Sequence, residues 1–120
     1  MRSNAPMPAT PKLRSRFTRR AYQPGKDRNA VGSQLRRVRS ALGWSQDNLA
    51  AQCHRRGWDL DRVMVAKIEL HLRSITDFEL LKLCETVGVT PGELLGQQPL
   101  PSNPDKLRDH LKRVGRSLRR

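Results

Sequence analysis

The chain has 120 residues, enough for one small domain with flanking segments, and only 4% of them are aromatic, which predicts a small and largely aliphatic core. No apolar run approaches the ~18 residues that a membrane-spanning helix needs, and the N-terminus lacks the apolar stretch of a secretory signal peptide. The formal net charge of +13 favours a polyanionic partner, although solubilising tails would give the same total.

The positive charge is concentrated at the two ends of the chain. Residues 1–29 carry eight basic groups against one acidic group, residues 101–120 carry seven against two, and residues 30–100 are almost neutral. Cationic segments suit nucleic acid, because each Lys or Arg placed on a phosphate releases condensed counterions. Residues 1–29 also contain four prolines and no sustained apolar period, so we predict a disordered basic arm there.

A helical period begins directly after this arm. Apolar residues recur at i, i+4, i+7 and i+11, which places them on one face of a first helix from Ala30 to Leu42, and Gly43 ends it. The residues of this face are Val31, Leu35, Val38 and Leu42.

Two short helices follow, each opened by a capping residue. Ser45 is a suitable N-cap for a second helix over 46–56, which Gly57 ends, and Asp61 caps a third helix over 62–70. This arrangement is typical of a helix-turn-helix. The inward-facing residues are Leu49, Ala50 and Cys53 in the second helix, with Ala50 small enough for a close crossing, and Val65 and Ile68 in the third.

Two capping boxes predict the next two helices. Thr76 with Glu79 opens a fourth helix that ends at Gly88, and Thr90 with Glu93 opens a short fifth helix. The residues expected to pack inward are Leu80, Leu81, Cys84 and Val87 in the fourth helix and Leu94 and Leu95 in the fifth.

A linker over 97–103 separates this domain, predicted over 30–96, from a basic amphipathic helix over 104–120. The apolar stripe of that helix can self-associate, bind a protein partner or pack back on the domain, and the sequence leaves all three open. Its members are Leu107, Leu111, Val114 and Leu118. The fold is therefore expected to be all-α, a five-helix domain with a basic arm and one extra helix.

Neither a metal site nor a catalytic centre is predicted. Cys53 and Cys84 fall on apolar helix faces, which favours reduced thiols in a packed core. A zinc site would need further ligands at metal spacing, and His54 merely adjoins Cys53. The chain has no Gly-rich phosphate loop and no paired carboxylates with a nearby His, so we expect no enzyme activity and no cofactor.

Five sequence blocks between residues 31 and 95 resemble those of the lambda-repressor-like (phage-repressor-type, Xre-like) helix-turn-helix family. They occur in the same order as in the family. The resemblance implies a five-helix domain that places its third helix in the DNA major groove, usually as a dimer on a two-fold operator. The blocks are Val31-Gly32-x-x-Leu35-Arg36-x-x-Arg39, Gly43-Trp44-Ser45-Gln46-x-x-Leu49-Ala50, Val65-x-Lys67-Ile68-Glu69, Leu80-Leu81-x-Leu83-Cys84 and Val87-Gly88-Val89-x-x-x-Glu93-Leu94-Leu95.

The resemblance also implies roles for individual residues. Arg39 and Glu69 occupy the positions that pair in the family, which would tie the first helix to the end of the third. The residues at or near the base-reading positions are Arg62, Val63, Lys67, Met64 and Ala66, and the expected phosphate contacts are Ser45, Gln46, Arg73, Arg36 and Arg37.

The chain departs from the family pattern in two places. The connection between the second and third helices is several residues longer, and we expect Trp58 to cover the core beside it. Two residues after Glu69, the usual Gly is replaced by His71, a residue type that tolerates positive φ better than most but at some cost.

These features predict a sequence-specific transcriptional regulator of bacterial or phage type, such as a repressor, that binds double-stranded DNA as a homodimer. We expect it in the cytoplasm, associated with the nucleoid and not with a membrane. One alternative is an antitoxin or protein-interaction module that binds a protein through the last helix, with DNA binding secondary. Another is a packaging protein that binds nucleic acid non-specifically through its arms.

Overall fold

The computed structural model describes residue 23 and residues 26–118, with side chains up to Arg113. Most of the predicted arm over 1–29 lies outside the described residues. The described part is all-helical and contains no strand. Its elements are α1 (Gly32–Ala41), α2 (Gln46–Arg55), α3 (Arg62–Glu69), α4 (Asp77–Val87), α5 (Pro91–Leu94) and α6 (Pro104–Leu118).

Side-chain caps set the starts of α2 to α5, as their sequences predicted. Ser45, Asp61, Thr76 and Thr90 each accept a hydrogen bond from the backbone N–H three residues later. The start of α1 differs from the prediction, because Asn29 Oδ1 accepts from the N–H groups of Val31 and Gly32 and holds this segment outside the helix. The helix therefore begins two residues later than expected.

The helices enclose one aliphatic core. α1 packs against α3 and α6, α2 packs against α3 and α4, and α4 also packs against α6. Trp58 is half-buried against the core, as expected from the sequence. The fully buried side chains include Leu35, Val38, Leu49, Cys53, Val65, Ile68, Leu83, Val87 and Leu94.

Two predicted core leucines are in fact exposed. Leu81 is 53% exposed and Leu95 is 38% exposed. On α4 the buried stripe instead passes through Leu83 and Cys84, at the i+3 and i+4 positions from the half-buried Leu80. Leu81 lies outside this stripe, so the prediction that both Leu80 and Leu81 pack inward was wrong for Leu81.

The last helix packs on its own domain. Leu107 and Leu111 are 2% and 1% exposed and belong to the same core as α1 and α4. The sequence left three possibilities for this stripe: self-association, binding of a protein partner, or packing on the domain. In the structure its first two leucines pack on the domain.

Candidate nucleic-acid interface

The outer face of α3 carries the residues expected to read bases. Arg62 and Lys67 are exposed and Val63 is 52% exposed, while Met64 and Ala66 are half-buried. Val65 and Ile68, on the opposite face, are fully buried. The helix therefore presents two cations and an apolar side chain to solvent from a backbone that the core holds in place.

A carboxylate at the end of α3 connects three helices. Glu69 Oε2 accepts from Arg39 Nε at 2.6 Å, and Glu69 Oε1 accepts from Arg39 Nη2 at 3.0 Å. The same Oε1 accepts from Gln46 Nε2 at 3.1 Å. Arg39 also donates to the Trp44 carbonyl at 2.8 Å. Because Glu69 is buried, this network fixes the orientation of α3 relative to α1 and to the start of α2.

The start of α2 uses its two expected phosphate-binding side chains internally. Ser45 Oγ accepts from the Asn48 N–H at 3.0 Å, and the Gln46 amide donates to Glu69. What remains for an anion at this end is the first backbone N–H groups of α2, which have no partner within a helix.

The three arginines expected at phosphates have different surroundings. A guanidinium nitrogen of Arg37 donates to the Pro101 carbonyl, and burial lowers the pKa of this group from its usual value. Arg73 pairs with Glu79 at 3.2 Å. Arg36 is exposed. It lies on the same face of α1 as Gly32 and Arg39, and Gly32 marks the point where α1 crosses the end of α3. Arg36 is thus the best placed of the three for a phosphate.

The end of α3 is also held by Asn29, which the sequence did not single out, and by His71, which was noted only as a replacement for Gly. Asn29 Nδ2 donates to the carbonyls of Ile68 at 3.0 Å and Arg73 at 2.8 Å. His71 is buried with φ 63°, its Nδ1 donates to the Asn29 carbonyl at 2.9 Å, and its Nε2 lies 3.0 Å from Ser33 Oγ. We call Asn29 and His71, with these bonds, the Asn29–His71 clasp. The feature of the sequence that could have indicated this clasp is an Asn three residues before the start of a helix.

Close backbone contact accompanies this clasp. A Cβ atom on Gly32 would lie 2.4 Å from the Ile68 carbonyl oxygen and 2.9 Å from that of Glu69. Only glycine permits α1 to cross the end of α3 at this distance.

Two buried thiols and a second buried carboxylate, that of Glu93, lie outside the network around Glu69. Cys53 and Cys84 are free and buried, and burial, with a smaller contribution from Glu93, raises the pKa of Cys84 to about 12. Glu93, expected only to complete an exposed capping box, is 6% exposed and lies 2.6 Å from His110 Nε2. Among the described residues there is no cluster of metal-ligating side chains and no helix that could span a membrane.

Comparison with known proteins gives one informative likeness. No protein-family model matches the chain, and no curated protein matches it. Among solved structures, the chain is similar to a hypothetical transcription factor, NHTF, from Neisseria. The two are 29% identical with a TM-score of 0.52, over 63% of this chain and 82% of the other. The likeness supports a fold of the transcription-factor kind.

Proposed function

We propose that the chain is a sequence-specific DNA-binding transcriptional regulator with a lambda-repressor-like domain, in which α3 enters the major groove. One observation carries this proposal. The outer face of α3 presents Arg62, Val63 and Lys67 to solvent, while Glu69 at its end is fixed to both α1 and α2. A recognition helix needs this combination of outward base-reading side chains and a backbone held in register.

The proposed base contacts follow from the chemistry of these side chains. Arg62 can donate two hydrogen bonds to O6 and N7 of guanine, Lys67 can reach the same edge, and Val63 suits the methyl group of thymine. Met64 and Ala66 are half-buried and would add apolar contact at the margin.

The proposed phosphate contacts surround this face. They comprise the exposed Arg36, the backbone N–H groups that open α2, and the basic segment that precedes Asn29. Two copies of the domain on a two-fold operator would complete the proposed complex.

Site selection from random duplexes with the full chain, followed by substitution, tests the proposal. Arg62→Ala and Lys67→Ala should each weaken binding to the selected site by about 1–3 kcal/mol and binding to a scrambled duplex by much less. Arg55→Ala is the matched control, because Arg55 is an exposed arginine in the last turn of α2 and does not belong to the proposed recognition helix. Equal losses on both duplexes would reduce Arg62 and Lys67 to phosphate contacts and contradict base reading.

The same measurement separates this function from non-specific packaging. A regulator should bind its selected site about 10³-fold or more tightly than random DNA, whereas a packaging protein shows almost no ratio. The interaction-module alternative draws no support from α6, because Leu107 and Leu111 are already buried within the domain.

A further inference from the structure

α6 and the segment before it both contact α1. These contacts lie along α1 in the direction of the loop that precedes α2. A guanidinium nitrogen of Arg37 donates to Pro101, and Arg108 Nε donates to the Ala41 carbonyl at 3.0 Å. Further along, Lys112 lines a half-open groove of about 460 Å³. Its other lining residues are Leu42, Trp44, Thr86, Val87, Arg108 and Leu111. Because Trp44 directly precedes the N-cap of α2, this part of α6 lies beside the start of α2.

The position of α6 is fixed from several sides. Leu107 and Leu111 are buried in the core, and His110 Nε2 lies 2.6 Å from Glu93 at the end of the short α5. The helical backbone continues from Lys112 to Leu118, which adds about 9 Å at the α-helical rise. The second half of α6 is thus a helical continuation of the part that packs on the domain.

The charge of α6 is divided unevenly along its length. Between 104 and 111 two acidic residues balance two basic residues, but from 112 to 118 the helix has three basic residues and no acidic one. Lys112 and Arg113 are exposed. The cationic half is therefore the half that begins beside the start of α2.

We propose that this basic half of α6, beginning at Lys112, binds backbone phosphates of the DNA flanking the site, next to the phosphates at the start of α2. The proposal rests on the proposed function, since the position of α2 on DNA follows from α3 in the groove. The partner is a polyanion, because the leucines of the first half are covered by the domain and the next two side chains, Lys112 and Arg113, are exposed cations. Cations on a helix that is already formed also lose less entropy on binding than cations on a flexible tail.

Two substitutions on the same helix test the proposal in the full chain. Lys112→Gln and Lys106→Gln each remove one exposed positive charge, but Lys106 lies in the first turns, where the acidic residues balance it. With the selected duplex, Lys112→Gln should reduce the slope of log affinity against log salt by about 0.9. The affinity lost between about 50 and 200 mM salt should then shrink about 3-fold. Lys106→Gln should leave the slope unchanged.

A second duplex, trimmed on the flank beside α2, locates the contact. The difference between the two variants should disappear on the trimmed duplex, because the phosphates that Lys112 would bind are gone. If the chain prefers a site but both variants have the wild-type slope, the proposal is overturned and the basic half is left for an acidic protein. If no duplex is preferred over random DNA, the proposed function fails first, so the two failures are distinguishable.

Discussion

At the scale of single residues, Glu69 has the largest structural role on the proposed interface. Its buried carboxylate accepts three hydrogen bonds from Arg39 and Gln46, so it joins α3 to two other helices. Removing one partner of a buried ion pair leaves the other charge without compensation. This cost differs from that of an exposed pair, which solvent screens.

We predict that Glu69→Ala lowers the free energy of unfolding by about 3–5 kcal/mol. The matched control is Glu79→Ala, which removes a partly exposed carboxylate that completes a capping box and pairs with Arg73. That change should cost about 0.5–2 kcal/mol. Urea denaturation of both variants at neutral pH measures the difference, and equal losses would contradict a structural role for the Arg39–Glu69 pair. Glu93 is unsuitable as the mild control, because it is buried against His110.

The same scale shows what the sequence leaves out about two of the expected phosphate contacts. Sequence identifies Arg37 and Arg73 as cations near the right helices but does not show what each guanidinium touches. Arg37 meets a carbonyl 64 residues away, and Arg73 meets Glu79 on the next helix. Both interactions depend on packing, which a local pattern does not contain.

At the scale of elements, helix positions were largely predictable because their starts are encoded locally. Asp61 sets the first residue of α3, and Thr76 and Thr90 set those of α4 and α5. The error at α1 has a local cause too, since Asn29 caps the segment before it. In contrast, the stripe on α6 was predictable, but what covers it was not, because periodicity shows only that a face is apolar.

The Asn29–His71 clasp gives a prediction at this scale. Asn29→Ala removes two bonds to carbonyls, one in the last turn of α3 and one after it, and two bonds from N–H groups at the start of α1, leaving buried polar groups without partners. We expect a loss of at least about 2 kcal/mol in the free energy of unfolding. Asn48→Ala, which removes an exposed bond to the Ser45 N–H, should cost about 0.5–1 kcal/mol.

Denaturation midpoints and amide hydrogen exchange measure the outcome. Exchange should accelerate at the junction of α1 and α3 in Asn29→Ala, because Gly32 and Ile68 meet there. If Asn29→Ala were no less stable than Asn48→Ala, the clasp would contribute no more to the free energy of unfolding than an exposed hydrogen bond does.

At the scale of the whole molecule, a nearly neutral domain carries two cationic segments at separate places. The segment before Asn29 joins the domain beside the end of α3, through the clasp, and the basic half of α6 begins beside the start of α2. If both segments bind phosphates, as proposed, they would add contacts to those made by the domain itself. Such contacts add affinity and salt dependence but no base discrimination.

We therefore predict separate effects on stability and on DNA binding when residues 1–28 are deleted. The deletion removes eight basic groups and one acidic group but leaves Asn29 and the clasp in place. The Tm should change little, since the deletion leaves the core residues and the clasp in place, although it removes the hydrogen bond from the Arg28 N–H to the His71 carbonyl. Affinity for DNA should fall, and the slope of log affinity against log salt should become shallower by about 0.9 for each phosphate released.

A charge-neutral control separates the effect of the chain from the effect of its charge. In the full chain, replacing the eight basic residues before Asn29 by Gln keeps the length of the segment and removes its cations. If the segment acts through phosphates, this variant should match the deletion in both affinity and salt slope, while the ratio between selected and scrambled duplexes stays near that of the wild type. A large fall in Tm on deletion would instead mean that the segment packs on the domain. If the ratio of the affinities for the selected and scrambled duplexes fell to near one in both variants, the arm and not α3 would be the segment that reads the bases.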